Sequence, residues 1–568
     1  MSDATTTTDT APRTDGASAY VPVLISGAGP VGLILSILLS RAGVRNVVVE
    51  KRERIGELPR SRGVTVRTME LLDQIGLREE LESTALPYAW TRQFVYTETL
   101  AGKIVGTMAT DATSTTDAAA LSPAHYVVAA QDRIDPMLFK AAIGYPEAEV
   151  RMGTEVIEYT EDADGVVTTV VNPNGTLTRL RSAYIVAADG ARSPLREMAG
   201  ITETGRTTLR TYINNYVRAD LSRFTAGREG SLIWTFAPGR EGLFQPLDGV
   251  DRWAVQVQRE GDPSVVGRWT EEEALAHIRA MIGDPAADET EIDIIRSYGF
   301  ALTMTISDQF RKGRLLLTGD AAHQVPPFGG FGLNTGIQSA HNLAWKLVEV
   351  LRGTASEELL DTYQTERHEV GRRVMDFART NSGYIEQLMR SVGQGSDEEK
   401  RSAIIGASRQ YGNWWGLDLG VHYEEAGAFI PDDVPAPYVE NPVIDYVPHA
   451  KPGYRAPHFW AALDGDRVSS IALCDGDFVV FTGPDGQPWT EAARALPLDN
   501  TPAITAYRVA ADGDLVPETD FCKLYGIQPD GAVLIRPDGH VAYRAEGLPA
   551  DPTGELTSVL LRILGRTA

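Results

Sequence analysis

Apolar residues come in unbroken runs near the start of the chain and in strict alternation further on. VPVLISG, from Val21, is apolar on both faces, as a strand buried in a parallel sheet must be. PVGLILSILLSRAG follows as a helix, with Pro30 in its first turn and Gly43 at its end. VRNVVVEKR is then a second β-branched strand closing on Glu50, which completes a βαβ unit. From about Arg206 to Phe300 the period changes to two in TTLRTYINNYVRADL, SLIWTFAP and RWAVQVQ. That pattern predicts an antiparallel sheet in a second unit. The stretch Thr91 to Pro123, with its Thr/Ala/Asp patch, reads as a long surface loop. GRLLLTGD, ending at Asp320, returns to the buried-strand pattern and precedes a long amphipathic helix from about Asn334 to Arg352. Helices dominate to about Arg409, a loop rich in Pro, Tyr and Asp runs from about Asp432 to Pro457, and short strands and turns follow.

Charge and composition narrow the partners. Lys+Arg 53 against Asp+Glu 77 leaves a formal charge of −24, without the basic footprint of a duplex-binding protein, so no nucleic-acid partner is expected. Two cysteines, Cys474 and Cys522, make neither a disulfide framework nor a four-thiolate zinc site. The histidines show no paired ligand spacing, so no metal is expected. Residues 1–18 are Thr/Ala/Asp-rich without an apolar run, and read as a disordered cytoplasmic tail. Tyr20–Ser40 is uncharged and long enough to cross a bilayer, but GAGPVG interrupts it, so no membrane span is expected.

Three motifs carry candidate chemistry. GAGPVG (Gly27–Gly32) joins strand to helix, where its glycines permit a tight turn and a pyrophosphate on the helix N-terminus. Glu50, at the end of the second strand, is placed to bond ribose hydroxyls. DGARSPLR (Asp189–Arg196) and GDAAHQVPPFGGFGLN (Gly319–Asn334) each put an Asp just past an apolar strand, where ligands bind in open α/β sheets. In the third motif Asp320 is suited to a polyol chain, and Gly329, Gly330 and Gly332 let the backbone pass close to a flat ring. The amides of Leu333 and Asn334 are then aimed at the ring's negative end.

In this order the motifs resemble the signature of the class A flavin-dependent aromatic hydroxylases, the family of p-hydroxybenzoate and phenol hydroxylases. The resemblance extends to PRSRGVTVRTMELL (Pro59–Leu72) and QDRIDPML (Gln131–Leu138). DGAVLIRPDGHVAYR, near the end, resembles the thioredoxin-like third domain of the phenol, dichlorophenol and aromatic-polyketide hydroxylase branch. It implies an α/β fold: a Rossmann-like FAD-binding domain (19–90, 124–205 and 297–410), an antiparallel-sheet substrate-binding domain (91–123 and 206–296), a linker (411–450) and a thioredoxin-like domain (451–568). It also implies site roles. Gly27, Gly29 and Gly32 line the FAD pyrophosphate and Glu50 holds the adenosine ribose. Arg60 and Gln131 reach the phosphates or ribityl chain, and Asp320 bonds the ribityl hydroxyls. Gly332, Leu333 and Asn334 receive the ring, and Pro327 sits near its reacting edge. Asp189 and Arg196 serve FAD and NAD(P)H largely by shaping the fold.

The implied activity is hydroxylation of a phenolic or polyketide-type aromatic compound, with NADPH or NADH as reductant, dioxygen, and a flavin hydroperoxide as the oxygen donor. Baeyer–Villiger insertion into a polycyclic ketone, and a flavin-binding protein without turnover, are the alternatives. A cytoplasmic homodimer is compatible with this picture. Tyr212, Tyr216, Trp234, Phe236, Phe244 and Gln245 fall in the predicted sheet, which should roof the flavin; of these Tyr216, Trp234, Phe236 and Gln245 are the substrate-side candidates. No catalytic base stands out, and His323 reads as a packing residue. Cys474 and Cys522 form no CxxC, so the C-terminal domain is expected to be structural.

Overall fold

In the computed structural model the described residues are 19–110, 118–259, 269–394, 396, 398–399, 403, 410–424, 427–496 and 501–566. The tail at 1–18 lies outside them. The βαβ unit forms as its pattern demands: β1 (Ala19–Ser26), α1 (Pro30–Arg41) and β2 (Asn46–Glu50), with β1 and β2 parallel. β3 (Leu177–Ala187) lies parallel to β1 on its other side, and β4 (Leu315–Leu317) parallel to β3. Ser26 pairs with Val49 and Ala187, and Ala187 pairs with Leu317. Three strands therefore end on one line, and each of the three motifs leaves the sheet from that line. This row is the floor of the site.

A second eight-stranded sheet is the roof. From one edge it runs His323–Gln324, Asp293–Ser307, Glu203–Arg218, Arg252–Arg259, Gly242–Pro246, Leu232–Thr235, Gln93–Thr97 and Ile104–Ala109. All pairings are antiparallel except that of Leu232–Thr235 with Gln93–Thr97. The expected surface loop at Thr91–Pro123 is corrected here: most of its first half is a hairpin that extends the roof, with a short helix at Ala118–Leu121. Its Thr/Ala content hid the alternation, because Phe94 and Tyr96 are the large inward residues of only one strand. Glu203–Arg218 and Asp293–Ser307 each run through an expected domain boundary, so chain passes between floor and roof within continuous strands. Side chains alternate across the roof. Val217, Ile233, Phe244 and Trp253 pack outward under the helix Glu271–Ile282, whereas Tyr212, Trp234 and Leu243 point the other way with Phe94 and Tyr96.

α2 (Phe331–Arg352) starts at Phe331, three residues before its expected N-terminus, and packs along α1. Gly336 lets them meet, since a Cβ there would lie 2.7 Å from a Val31 methyl. On its far side Trp345 joins the core of a four-stranded C-terminal sheet, Ile504–Arg508, Phe478–Thr482, Ala532–Ile535 and Val541–Ala545 in spatial order. Helices Gln487–Ala495 and Pro552–Ile563 cover one face of that sheet, giving the thioredoxin-like unit. This junction buries a dense ion network. Glu366 accepts from Arg536 at 2.7 Å and Lys346 at 2.8 Å, Arg536 also bonds Asp538, and Glu70 accepts from Arg67 and Arg455. Among the described residues no helix is long and apolar enough to cross a membrane.

Candidate active site

The first motif is shaped by backbone contact. Gly27 sits at φ +109°, and a Cβ on it would lie 2.3 Å from the Ala188 carbonyl oxygen; a Cβ on Gly32 would lie 2.0 Å from the Gly27 oxygen. Both positions exclude any side chain. Gly29 is different: its Cβ would meet nothing within 4 Å, so the approach to the start of α1 stays open. α1 has no side-chain cap, leaving the amides of its first turn free for an anion. Glu50 ends beside this turn, where Oε2 accepts from the Ala28 amide at 3.0 Å and Oε1 from Arg52. Burial works to raise its pKa, but the Arg52 and Ala28 hydrogen bonds and the Arg52 charge outweigh it and keep Glu50 ionised.

The second and third motifs are stitched to each other. Asp189 accepts from the Leu195 amide at 3.4 Å, and its Oδ1 is buried without a partner among the described residues. Burial raises its pKa against the opposing bonds from Ser193 and Leu195. Arg196, buried, donates to the carbonyls of Ala191 and Ala321, so it ties one motif to the other. Asp320 is exposed just past β4, yet enough protein stands around it that burial raises its pKa, and the charge of Arg60 opposes the rise. His323 is buried between Phe310 and the helix residues behind it, and burial drives its pKa down to about 3, so it stays neutral. Pro327 is exposed in the loop before α2, and its carbonyl accepts from Gly330. Gly330, the residue just before α2, has φ +78° and supplies no capping side chain, so the amides of Gly332 and Leu333 in the first turn are left unpaired by the helix. The Asn334 side chain is a latch: it accepts from the Thr65 amide and donates to the Gly63 carbonyl at 2.9 Å.

Between these motifs runs the segment 60–65. Ser61 exchanges bonds with Gln131, whose side-chain oxygen accepts from the Ser61 amide at 3.2 Å. Gln131 in turn donates to Asp135, a carboxyl that burial pushes up to about 7 despite that bond and the charges of Arg52 and Arg60. Arg60 is exposed, and its charge acts on Asp320, Asp135 and Tyr298 alike. Arg62, which sequence reasoning passed over, crosses from floor to roof and donates to the carbonyls of Pro246 at 2.8 Å and Ser231 at 3.0 Å.

The roof supplies aromatic surface and a few polar groups. Trp234 stacks on Phe236, and Phe236 on Tyr96, all in one cluster with Phe328 of the third motif. The Trp234 indole N–H and the Tyr96 hydroxyl are buried without partners among the described residues. Gln245 is half-buried opposite Ala254. Tyr216 is a tie: its hydroxyl accepts from Arg252, which is ion-paired to Asp132 of the floor. Asn214, bonded to the Tyr298 hydroxyl at 2.8 Å, was also missed, although it sits at the period-two position between Tyr212 and Tyr216.

Two uncapped helix starts, an open glycine, and Asp320 and Arg60, which have no side-chain hydrogen bond among the described residues, stand on the floor below an aromatic roof. That combination fits FAD, with its pyrophosphate, polyol and flat ring, and defines a flavoprotein of the monooxygenase type. The comparisons agree. A family model described as FAD binding domain matches residues 20–378, and one described as aromatic-ring hydroxylase, C-terminal, matches residues 449–567. The chain is 35% identical to tetracenomycin A2 monooxygenase-dioxygenase of Streptomyces glaucescens, over 96% of this chain and 97% of that one. It is 34% identical to 4-methyl-5-nitrocatechol 5-monooxygenase of Burkholderia sp, over 96% and 98%. The crystal structure of the flavin-dependent monooxygenase PieE in complex with FAD and substrate superposes with a TM-score of 0.90 at 30% identity, covering 97% of this chain and all of that one. The chain belongs to the FAD-dependent aromatic-ring hydroxylases.

Proposed function

We propose that this enzyme hydroxylates a phenolic or polyketide-type aromatic compound, using NAD(P)H and dioxygen, with the substrate held between the floor and the roof. The carrying observation is the aromatic roof cluster, which reaches the third motif through Phe328 and holds unpartnered polar atoms. Bound FAD supplies the redox chemistry, taking up reducing equivalents and activating dioxygen. The chain's own residues bind, orient and shield. The first-turn amides of α1 and the open face at Gly29 take the pyrophosphate, and Glu50 the adenosine ribose. Arg60, Gln131 and Asp320 hold the phosphates and the ribityl chain, while Asp189 shapes the turn beside them. Gly332, Leu333 and Asn334 receive the pyrimidine end of the ring, and Pro327 flanks its reacting edge. The roof keeps water away from the reacting edge, because an oxidant open to solvent is wasted.

In this reading the chain divides into FAD-binding, substrate-binding and thioredoxin-like domains. It acts as a cytoplasmic enzyme and assembles as a homodimer, which sedimentation analysis would count. The deciding experiment screens phenols and polyketide quinones for acceleration of NADPH consumption, with mass analysis of the products. A gain of one oxygen with the rings intact supports hydroxylation. Ring expansion or cleavage overturns it in favour of insertion, and no stimulation by any aromatic compound overturns it altogether.

A further inference from the structure

Arg62 is a cation without an anion. Part of its surface is accessible, and its side chain spans from the floor segment 60–65 to the roof, where Tyr411 of the aromatic cluster acts on it. Among the described residues no carboxylate lies within 4.0 Å of its guanidinium; the ion pairs of the floor and roof go elsewhere, Asp132 to Arg252 and Glu50 to Arg52. Its two hydrogen bonds run to the Pro246 and Ser231 carbonyls, which use two of five N–H donors and leave the charge uncompensated. The titratable groups acting on it are the Tyr126 and Tyr411 hydroxyls, and burial raises both pKa values, that of Tyr126 to about 12, so both stay neutral. Burial lowers the pKa of Arg62 itself only to about 10, so it remains charged. Its backbone is also fixed from both sides, by Gln131 bonded to Ser61 and by Asn334 bonded to Gly63. A half-buried cation held in place without a carboxylate partner is costly to keep unless an anion arrives.

The geometry points to Arg62 as the residue that binds the substrate as an oxyanion, a phenolate or the enolate of a hydroxyquinone, and so selects ionisable phenols. This rests on the proposed function and supplies a part it lacks, a group that holds the ionised form of the phenol. The phenol O–H bond breaks before or on entry, the electron pair stays on oxygen and the proton passes to solvent water. The guanidinium then holds the oxyanion, whose ring is more electron-rich than that of the neutral phenol.

The test uses FAD-loaded enzyme without reductant and 4-fluorophenol, whose fluorine resonance reports ionisation directly. Titrated across the pKa of the free phenol, the bound probe should ionise about one to three pH units lower. Arg62→Met should abolish that shift at normal FAD content, and Arg62→Lys should retain most of it. A bound probe that ionises at or above the free value in the unaltered enzyme overturns the inference, and this measurement needs no variant to fold. So does an Arg62→Met protein that shifts the probe as the unaltered enzyme does. If the enzyme hydroxylates phenols in either case, only the Arg62 assignment falls. If it binds no phenol and none stimulates NADPH consumption, the substrate reading falls with it.

Discussion

At the junction with the C-terminal sheet, Glu366 takes hydrogen bonds from Arg536, Lys346, Asn342 and the Ala428 amide. At the floor, Asp320 has no hydrogen-bond partner among the described residues, and Arg62, between floor and roof, has only carbonyls. The junction buries its charges and neutralises them, whereas Asp320 and Arg62 are left accessible and without an ion-pair partner among the described residues. The difference separates two uses of the same residue types. A closed network fixes how two units dock, whereas an open pair is completed by something the chain does not contain.

The sharpest way to break the comparison is to open the closed network. Glu366→Ala strands Arg536 and Lys346 in the interior and should cost about 3–5 kcal/mol in denaturant unfolding. Asp320→Ala, in the open region, should leave unfolding of the apoprotein almost unchanged. It should instead weaken FAD retention roughly ten- to hundredfold, measured by cofactor titration, as expected for a lost bond to a charged group. Equal stability losses in the two variants would erase the distinction.

pH sharpens it further, because the two regions slope in opposite directions. Glu366, held down to about 2 by Arg536 and Lys346 against the cost of burial, contributes stability that is present above its ordinary 4.5 and lost as pH falls toward 2. Asp135, raised by burial from 3.8 to about 7, binds its proton more tightly folded than unfolded. Apoprotein stability from this group therefore declines as pH climbs from about 4 to about 7. Asp135→Asn should flatten the upper slope in chemical denaturation and leave the acid limb alone. The smallest expected effect is on the roof. Gln245→Leu should change the KM for the aromatic substrate by about tenfold or less at unchanged FAD content, because a single hydrogen-bonding contact is at stake.

The floor was legible in the sequence because its chemistry resides in the backbone. Gly32 is required by the Gly27 carbonyl of its own turn and Gly27 by the Ala188 carbonyl alongside, and such requirements leave fixed spacings between strand and helix. The roof was legible only as a sheet. Alternation tells which residues share a face, so Trp234 and Phe236 could be named, but not that Arg252 engages Tyr216 or that Asn214 meets Tyr298. Arg62 carried no signal of its own, since an arginine in a loop gains meaning only when the nearest carboxylates are seen to be taken. The junction was invisible for a simpler reason. Glu70 and Arg455 lie 385 positions apart, and nothing local marks them as a pair.

The loop holding Pro327 begins as an edge strand of the roof, for His323 and Gln324 pair with Ile306 and Thr305. The roof and the loop that carries Pro327 thus share one backbone seam. A displacement of the upper sheet at this edge would carry the start of that loop with it, with no separate connecting segment needed.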